Sequence, residues 1–121
     1  MPFAFWCVFV AALLPYVAIN FVTGRDNEAP RESEARLTGR DARAVGAHAN
    51  AFEAFPFFAF AVVSEQIFRG PNLWVDLLAA LFIALRIGHL AFYLAGKGTL
   101  RSLCFVLGFA DVIAIFLIGA L

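Results

Sequence analysis

A carboxylate and an amide three residues apart, Glu53 and Asn50, stand inside a long apolar stretch of this chain. An ionised side chain at the centre of a bilayer costs about 2.5–3.5 kcal/mol on insertion scales. A chain keeps such groups where they pair with one another or hold a polar ligand. The candidate partners come later in the sequence: Arg86, His89, Tyr93 and Arg101. At 100° per residue, Arg43, Asn50 and Glu53 fall within about 80° of one another, and Arg86, His89 and Tyr93 within about 60°. A pocket of two arginines, an acid, an amide and a phenol suits a small zwitterion carrying carboxylates and an amine. Glu53 would take the ammonium, and Arg86 a carboxylate through a forked contact. The plainer alternative is that these groups only glue helices together, with Glu53 and Arg86 a closed pair.

The elements that must position these residues follow from composition. Of 121 residues, 63% are hydrophobic and 15% charged, and the mean hydropathy is +0.85. A water-soluble domain of this size has too little interior to hide so much apolar surface. Four apolar segments stand out, Phe3–Val22, Ala47–Phe68, Leu73–Leu94 and Leu100–Leu121. Each is long enough at about 1.5 Å per residue to cross a hydrocarbon layer of roughly 30 Å. No alternating pattern suggests membrane strands. The expected fold is all-α, one four-helix membrane domain over residues 1–121, with spans at 3–22, 42–68, 73–94 and 100–121. The first segment lacks the basic flank and small-residue cleavage site of a signal peptide, so it is read as a retained span.

The polar stretch Gly24–Asp41 mixes charges of both signs and is expected to be a solvated loop with one helical turn. Thr38 followed by Asp41 has capping-box spacing, which starts the second helix near Gly39. Arg69-Gly70-Pro71 ends that helix, Asn72 caps the third, and Thr99 caps the fourth after a break at Gly96 and Gly98. Short connections make the last three helices antiparallel neighbours. Arg25, Arg31, Arg36, Arg40, Arg43, Lys97 and Arg101 flank the first and third loops, whereas the second carries only Arg69. The positive-inside rule therefore puts loops one and three in the cytoplasm and both termini outside. Asn50, Glu53, Arg86, Tyr93 and Arg101 then share the inner half of the bilayer.

Other polar groups have simpler expectations. Asp111 lies about 15 Å into the last helix, a depth like that of Arg86, so an Arg86–Asp111 strut is expected. Glu65 and Asp76 fall near the outer surface, where water would solvate them. Cys7 and Cys104 lie at opposite depths, which excludes an intramolecular disulfide, and no metal-ligand spacing is present. A net charge of zero gives no support to a nucleic-acid partner.

Ala47-His48-Ala49-Asn50-Ala51-Phe52-Glu53-Ala54-Phe55-Pro56 resembles the A-H-x-N-x-x-E-x-x-P segment of the MAPEG superfamily. These are membrane-associated proteins in eicosanoid and glutathione metabolism. The likeness continues through Arg86-Ile87-Gly88-His89 to Tyr93 and through Leu100-Arg101-Ser102. Asp26-Asn27 with Pro30-Arg31 is similar to the short bacterial members. The resemblance implies a homotrimer of four-helix subunits in a bacterial inner membrane, with glutathione as co-substrate bound at each subunit interface and open to the cytoplasm, and no metal. It implies that Asn50, Glu53, Arg86 and Tyr93 hold the tripeptide, with Glu53 on the γ-glutamyl amine, and that Arg101 stands against the sulfur. A guanidinium there would lower the thiol pKa and supply thiolate to a lipophilic electrophile arriving from the bilayer. Two positions depart from the family pattern. Gly46 stands where members usually have arginine, with Arg43 one turn further out as its substitute, and Phe105 replaces a tyrosine that some members carry.

The function expected is a glutathione-dependent transferase or peroxidase. The alternative is a non-catalytic scaffold or an accessory subunit of a larger membrane complex, suggested by Gly46 and by 15 phenylalanines. A transporter or proton channel using Glu53 and Asp111 has no repeat or broken glycine-rich helix behind it.

Overall fold

The computed structural model describes residues 1–121, and its regular elements are all helices, with no strand. The elements in chain order are α1 (Phe3–Ile19), the short α2 (Pro30–Glu34), α3 (Gly39–Phe68), α4 (Leu73–Leu94) and α5 (Gly98–Ala120). Three of them, α3, α4 and α5, are long and apolar enough to cross a membrane, and α1 is a shorter apolar helix. Large side chains such as Trp6, Phe57, Phe60, Trp74 and Val106 point outward and are more than half exposed. That surface belongs against lipid or another apolar face rather than water.

Local sequence explains most boundaries. Asn72 Oδ1 accepts the Trp74 amide at 2.8 Å and so caps α4. Gly70 and Gly96 take φ values of +82° and +75°, the left-handed turn that closes α3 and α4. Two expected caps are absent. Thr38 is the N-cap residue of α3 but makes no side-chain cap bond, and α5 starts at Gly98 after Lys97 rather than at a Thr99 cap. Asp41 is employed elsewhere. Its carboxylate accepts the backbone N–H groups of Thr23 (3.1 Å) and Gly24 (2.9 Å) and the Thr23 hydroxyl. This clamp turns the chain towards the start of α3, and α1 stops at Ile19 instead of running to Val22. These hydrogen bonds hold the Asp41 carboxyl below the usual aspartate range. Within the loop, Ser33 Oγ accepts the Asp26 amide, and Arg25 and Arg31 lie 3.7 and 3.8 Å from Glu34.

In the bundle α3 and α4 each pack on the other long helices, while α1 and α5 occupy opposite corners. Small residues make the closeness of α1 possible. Ala4, Cys7, Ala11, Pro15 and Ala18 form its buried stripe, and Ala44, Ala47 and Ala51 are buried on α3. His48 Nδ1 donates to the Pro15 carbonyl at 2.6 Å and ties the two helices together. At the other end Asp76 Oδ1 accepts the Ala4 amide at 3.1 Å and fastens α4 to the start of α1. The centre is a stack of Phe58 on Phe82, centroids 4.0 Å apart, surrounded by Val62, Val75, Ala79, Val112 and Ile115. Glu65 is fully buried, contrary to the expectation of solvation, because Gly119 of α5 lets the helices meet at its backbone.

Candidate functional site

A cleft of about 590 Å³ opens between α3, α4 and α5 at the end of the bundle that carries the 20–38 loop. It is lined by Gly46, Asn50 and Glu53 from α3, His89 and Tyr93 from α4, and Arg101, Ser102 and Phe105 from α5. Three helices contribute because each presents one polar face at this level. The spacing of 46, 50 and 53 keeps those positions within one helical stripe, and 89 with 93 is one turn of α4. The volume lies in the range of a small-ligand pocket.

Of the six residues singled out from sequence, four line this cleft: Asn50, Glu53, Tyr93 and Arg101. Arg86 lies behind it. Its guanidinium is buried and donates through Nη2 to Asn50 Oδ1 at 2.7 Å. The bond uses the oxygen of Asn50 and leaves its amide N–H donors available. Arg43 lies outside the cleft, where its Nε and Nη2 donate to the Leu94 carbonyl at 3.4 and 3.3 Å and close the last turn of α4.

Neither the alternative Glu53–Arg86 pair nor the expected Arg86–Asp111 strut is formed. Glu53 makes no ion pair with Arg86 and stays exposed at the cleft wall. Arg86 and Asp111 are not partners either, and both Asp111 carboxylate oxygens are buried without a hydrogen bond. The helix register gives the reason. Gly88 of α4 lies against Cys104 and Gly108 of α5 against Phe82, which sets Asp111 about 9 Å deeper than Arg86 along the bundle. Counting from the expected span ends puts them at similar depths, but α5 begins at Gly98, thirteen residues before Asp111, against eight from Arg86 to Leu94.

The centre of the cleft is an aromatic and cationic stack. The Arg101 guanidinium lies over the Tyr93 ring, 4.6 Å from its centroid. His89 packs edge-on against Tyr93 at 5.5 Å and tilts towards Phe105 at 6.4 Å. Tyr93 in turn rests on Gly46: a β-carbon at position 46 would collide with the Tyr93 hydroxyl. The tyrosine thus occupies the space that an α3 side chain would take. Sequence marks Gly46 as a missing cation. That it is also the seat of Tyr93 carries no sequence signal, because it depends on the distance between α3 and α4. His48 has a structural part that sequence does not single out: its ring holds α1 to the helix that carries Asn50 and Glu53.

Below the cleft runs an apolar slot of about 200 Å³, lined by Ala54, Phe57, Phe82, Phe109 and Val112, with Arg86 at one wall. Glu53 and Phe105 belong to both cavities, so the two are contiguous. Phe105 and Phe109 lie nearly parallel at 6.5 Å, and Phe57 meets Phe109 edge-on.

The fold and this cleft define a class, a membrane-spanning helical bundle with a polar cavity at one end and an apolar slot beneath it. A family model described as the MAPEG family matches residues 3–121, and the chain belongs to that family. The family is a membrane family associated with glutathione. No curated protein and no solved structure matches the chain.

Proposed function

We propose that the protein is a glutathione-dependent transferase or peroxidase that acts on lipophilic electrophiles within the membrane. The observation that carries this reading is the meeting of Glu53 and Arg101, from α3 and α5, on one cleft of tripeptide size. The donor set suits glutathione. Glu53 is an exposed, unpaired carboxylate for the γ-glutamyl ammonium, and Asn50 offers amide N–H groups to a carboxylate. Tyr93 completes the binding wall, Arg86 orients Asn50 from behind it, and Arg101 holds the sulfur as thiolate. In a conjugation the sulfur lone pair forms the new C–S bond, the leaving group departs with its electron pair, and the thiol proton passes to solvent. The apolar slot, sharing Glu53 and Phe105 with the cleft, supports entry of the second substrate from the lipid side.

The assembly belongs to the same proposal. Three copies would form a homotrimer in a bacterial inner membrane, with the 24–41 loop and the cleft on the cytoplasmic side and both termini outside. The excess of arginine and lysine around the first and third loops supports that orientation.

The decisive experiment adds glutathione to the purified protein and records thiolate absorbance in the ultraviolet. Arg101→Ala is expected to abolish the thiolate signal, and Glu53→Gln to weaken binding at least tenfold. Absence of glutathione binding at millimolar concentration refutes the enzyme reading. Co-purification of other membrane chains at fixed stoichiometry, with the cleft empty, would establish an accessory subunit in its place.

A further inference from the structure

Asp111 is 5% exposed, and both oxygens of its carboxyl are sealed inside the chain's own packing without a hydrogen bond. A further copy of the chain packed on the outside does not reach them. The residue stands near the middle of α5, about 14 Å from the nearer end of that helix. It shares one helical face with Cys104, Gly108 and Ile115. Along that face the Cys104 sulfur lies against Gly88 and Gly108 lies against Phe82, so Asp111 belongs to the seam between α4 and α5.

The titratable groups of the helices around it are engaged or distant. On α4, Arg86 bonds to Asn50, Asp76 accepts the Ala4 amide, and His89 packs on Tyr93. On α3, Glu53 faces the cleft, and Glu65 lies against Gly119, about 12 Å further along α5. Arg101 of α5 itself lines the cleft. A carboxylate ion at Asp111 would have neither counter-charge nor donor, so the seam accommodates the acid and not the anion. Gly108 and Val112, which flank Asp111, line the apolar slot together with Phe82. We propose that Asp111 is a proton-operated latch. As the acid it lets α5 lie against α4; on losing its proton to solvent it parts the two helices and widens the slot between Phe82 and Gly108. The latch belongs to the scaffold and does not depend on what the cleft binds.

Cys104 reports on the seam, because its sulfur sits at the same contact and is half-buried. The experiment follows, by intact mass, how fast the neutral reagent methyl methanethiosulfonate modifies that thiol in the full-length protein in nanodiscs. The pH is varied from about 6 to about 9. Cys7→Ala removes the other thiol. Each rate is divided by that of the same protein carrying Asp111→Asn, so the ionisation of the thiol itself cancels. The ratio is expected to rise at least threefold across the range. With the thiol moved into the slot, by Cys104→Ala and Val112→Cys, the ratio should rise by a similar factor. Asp111→Leu provides the reference if the asparagine variant fails to fold. A rise of less than threefold at either position overturns the latch. So does a rise of equal size with and without the carboxyl, which would trace the opening to another group.

Discussion

Replacing Asn50 with alanine removes the hydrogen-bond partner of a buried guanidinium, and its cost can be bounded. Asn50 Oδ1 lies 2.7 Å from Arg86 Nη2, a short charge-assisted bond, and Arg86 is only 6% exposed. Hydrogen bonds between neutral groups across membrane helices average about 0.6 kcal/mol, since the separated helices find other partners. A bond to a charged group contributes more, about 1.5–3 kcal/mol. The charged donor decides between these figures, because an arginine stripped of its acceptor in an apolar wall has no cheap alternative. Asn50→Ala should therefore lower stability by about 1.5–3 kcal/mol, or roughly 10- to 150-fold in the folding equilibrium. The assay is equilibrium unfolding in mixed detergent micelles, followed by helicity. Asn50→Asp, which keeps an acceptor, should retain most of the stability. The double replacement Asn50→Leu with Arg86→Leu should be more stable than Asn50→Ala alone, since no orphaned charge remains. A loss below about 0.5 kcal/mol for Asn50→Ala would refute the reasoning, as would a double variant no better than the single one.

Further outcomes follow from the same geometry. Gly46→Ala should destabilise the protein by about 1–3 kcal/mol through collision with the Tyr93 hydroxyl, although alanine is intrinsically the better helix former. A rise in unfolding midpoint would show that Tyr93 does not rest there. Asp111→Leu, close in shape and free of unpaired oxygens, should stabilise by about 1–3 kcal/mol; a marked loss in the same unfolding assay would reveal a hidden partner. Asp41 supplies a pH dependence at the surface. Its carboxyl is held below the ordinary value of 3.8 by the Thr23 and Gly24 amides, so its contribution is complete above that pH and is lost as pH falls through the lowered value. Proteolysis of the 20–38 loop by an acid-active protease should accelerate below about pH 3.8 and lose that dependence in Asp41→Asn.

Much of this protein was legible in one dimension because its causes are local. Apolar length, Asn72, and the Arg69-Gly70-Pro71 and Gly96 turns mark where helices start and stop through backbone chemistry within a few residues. The polar residues at 50, 53, 93 and 101 could be named because ionisable and amide groups are costly in a membrane and stand out against alanine and phenylalanine. Their family pattern gave the same residues in order.

What remained depended on packing. Whether Arg86 meets Asn50 or Asp111 is decided by the axial register of α4 against α5, which a turn of two or three residues resets by several ångström. Thr38 and Asp41 had the spacing of a cap, but a nearer pair of amides at Thr23 and Gly24 captured the carboxylate. Arg43 shares a helical stripe with Asn50 and Glu53, yet the end of α4 was closer than the cleft. Helical periodicity assigns each side chain a direction, whereas a contact also needs the position of the neighbouring helix. Small residues such as Gly46 and Gly119 let those helices approach closely, and only the assembled bundle reveals what fills the space they leave.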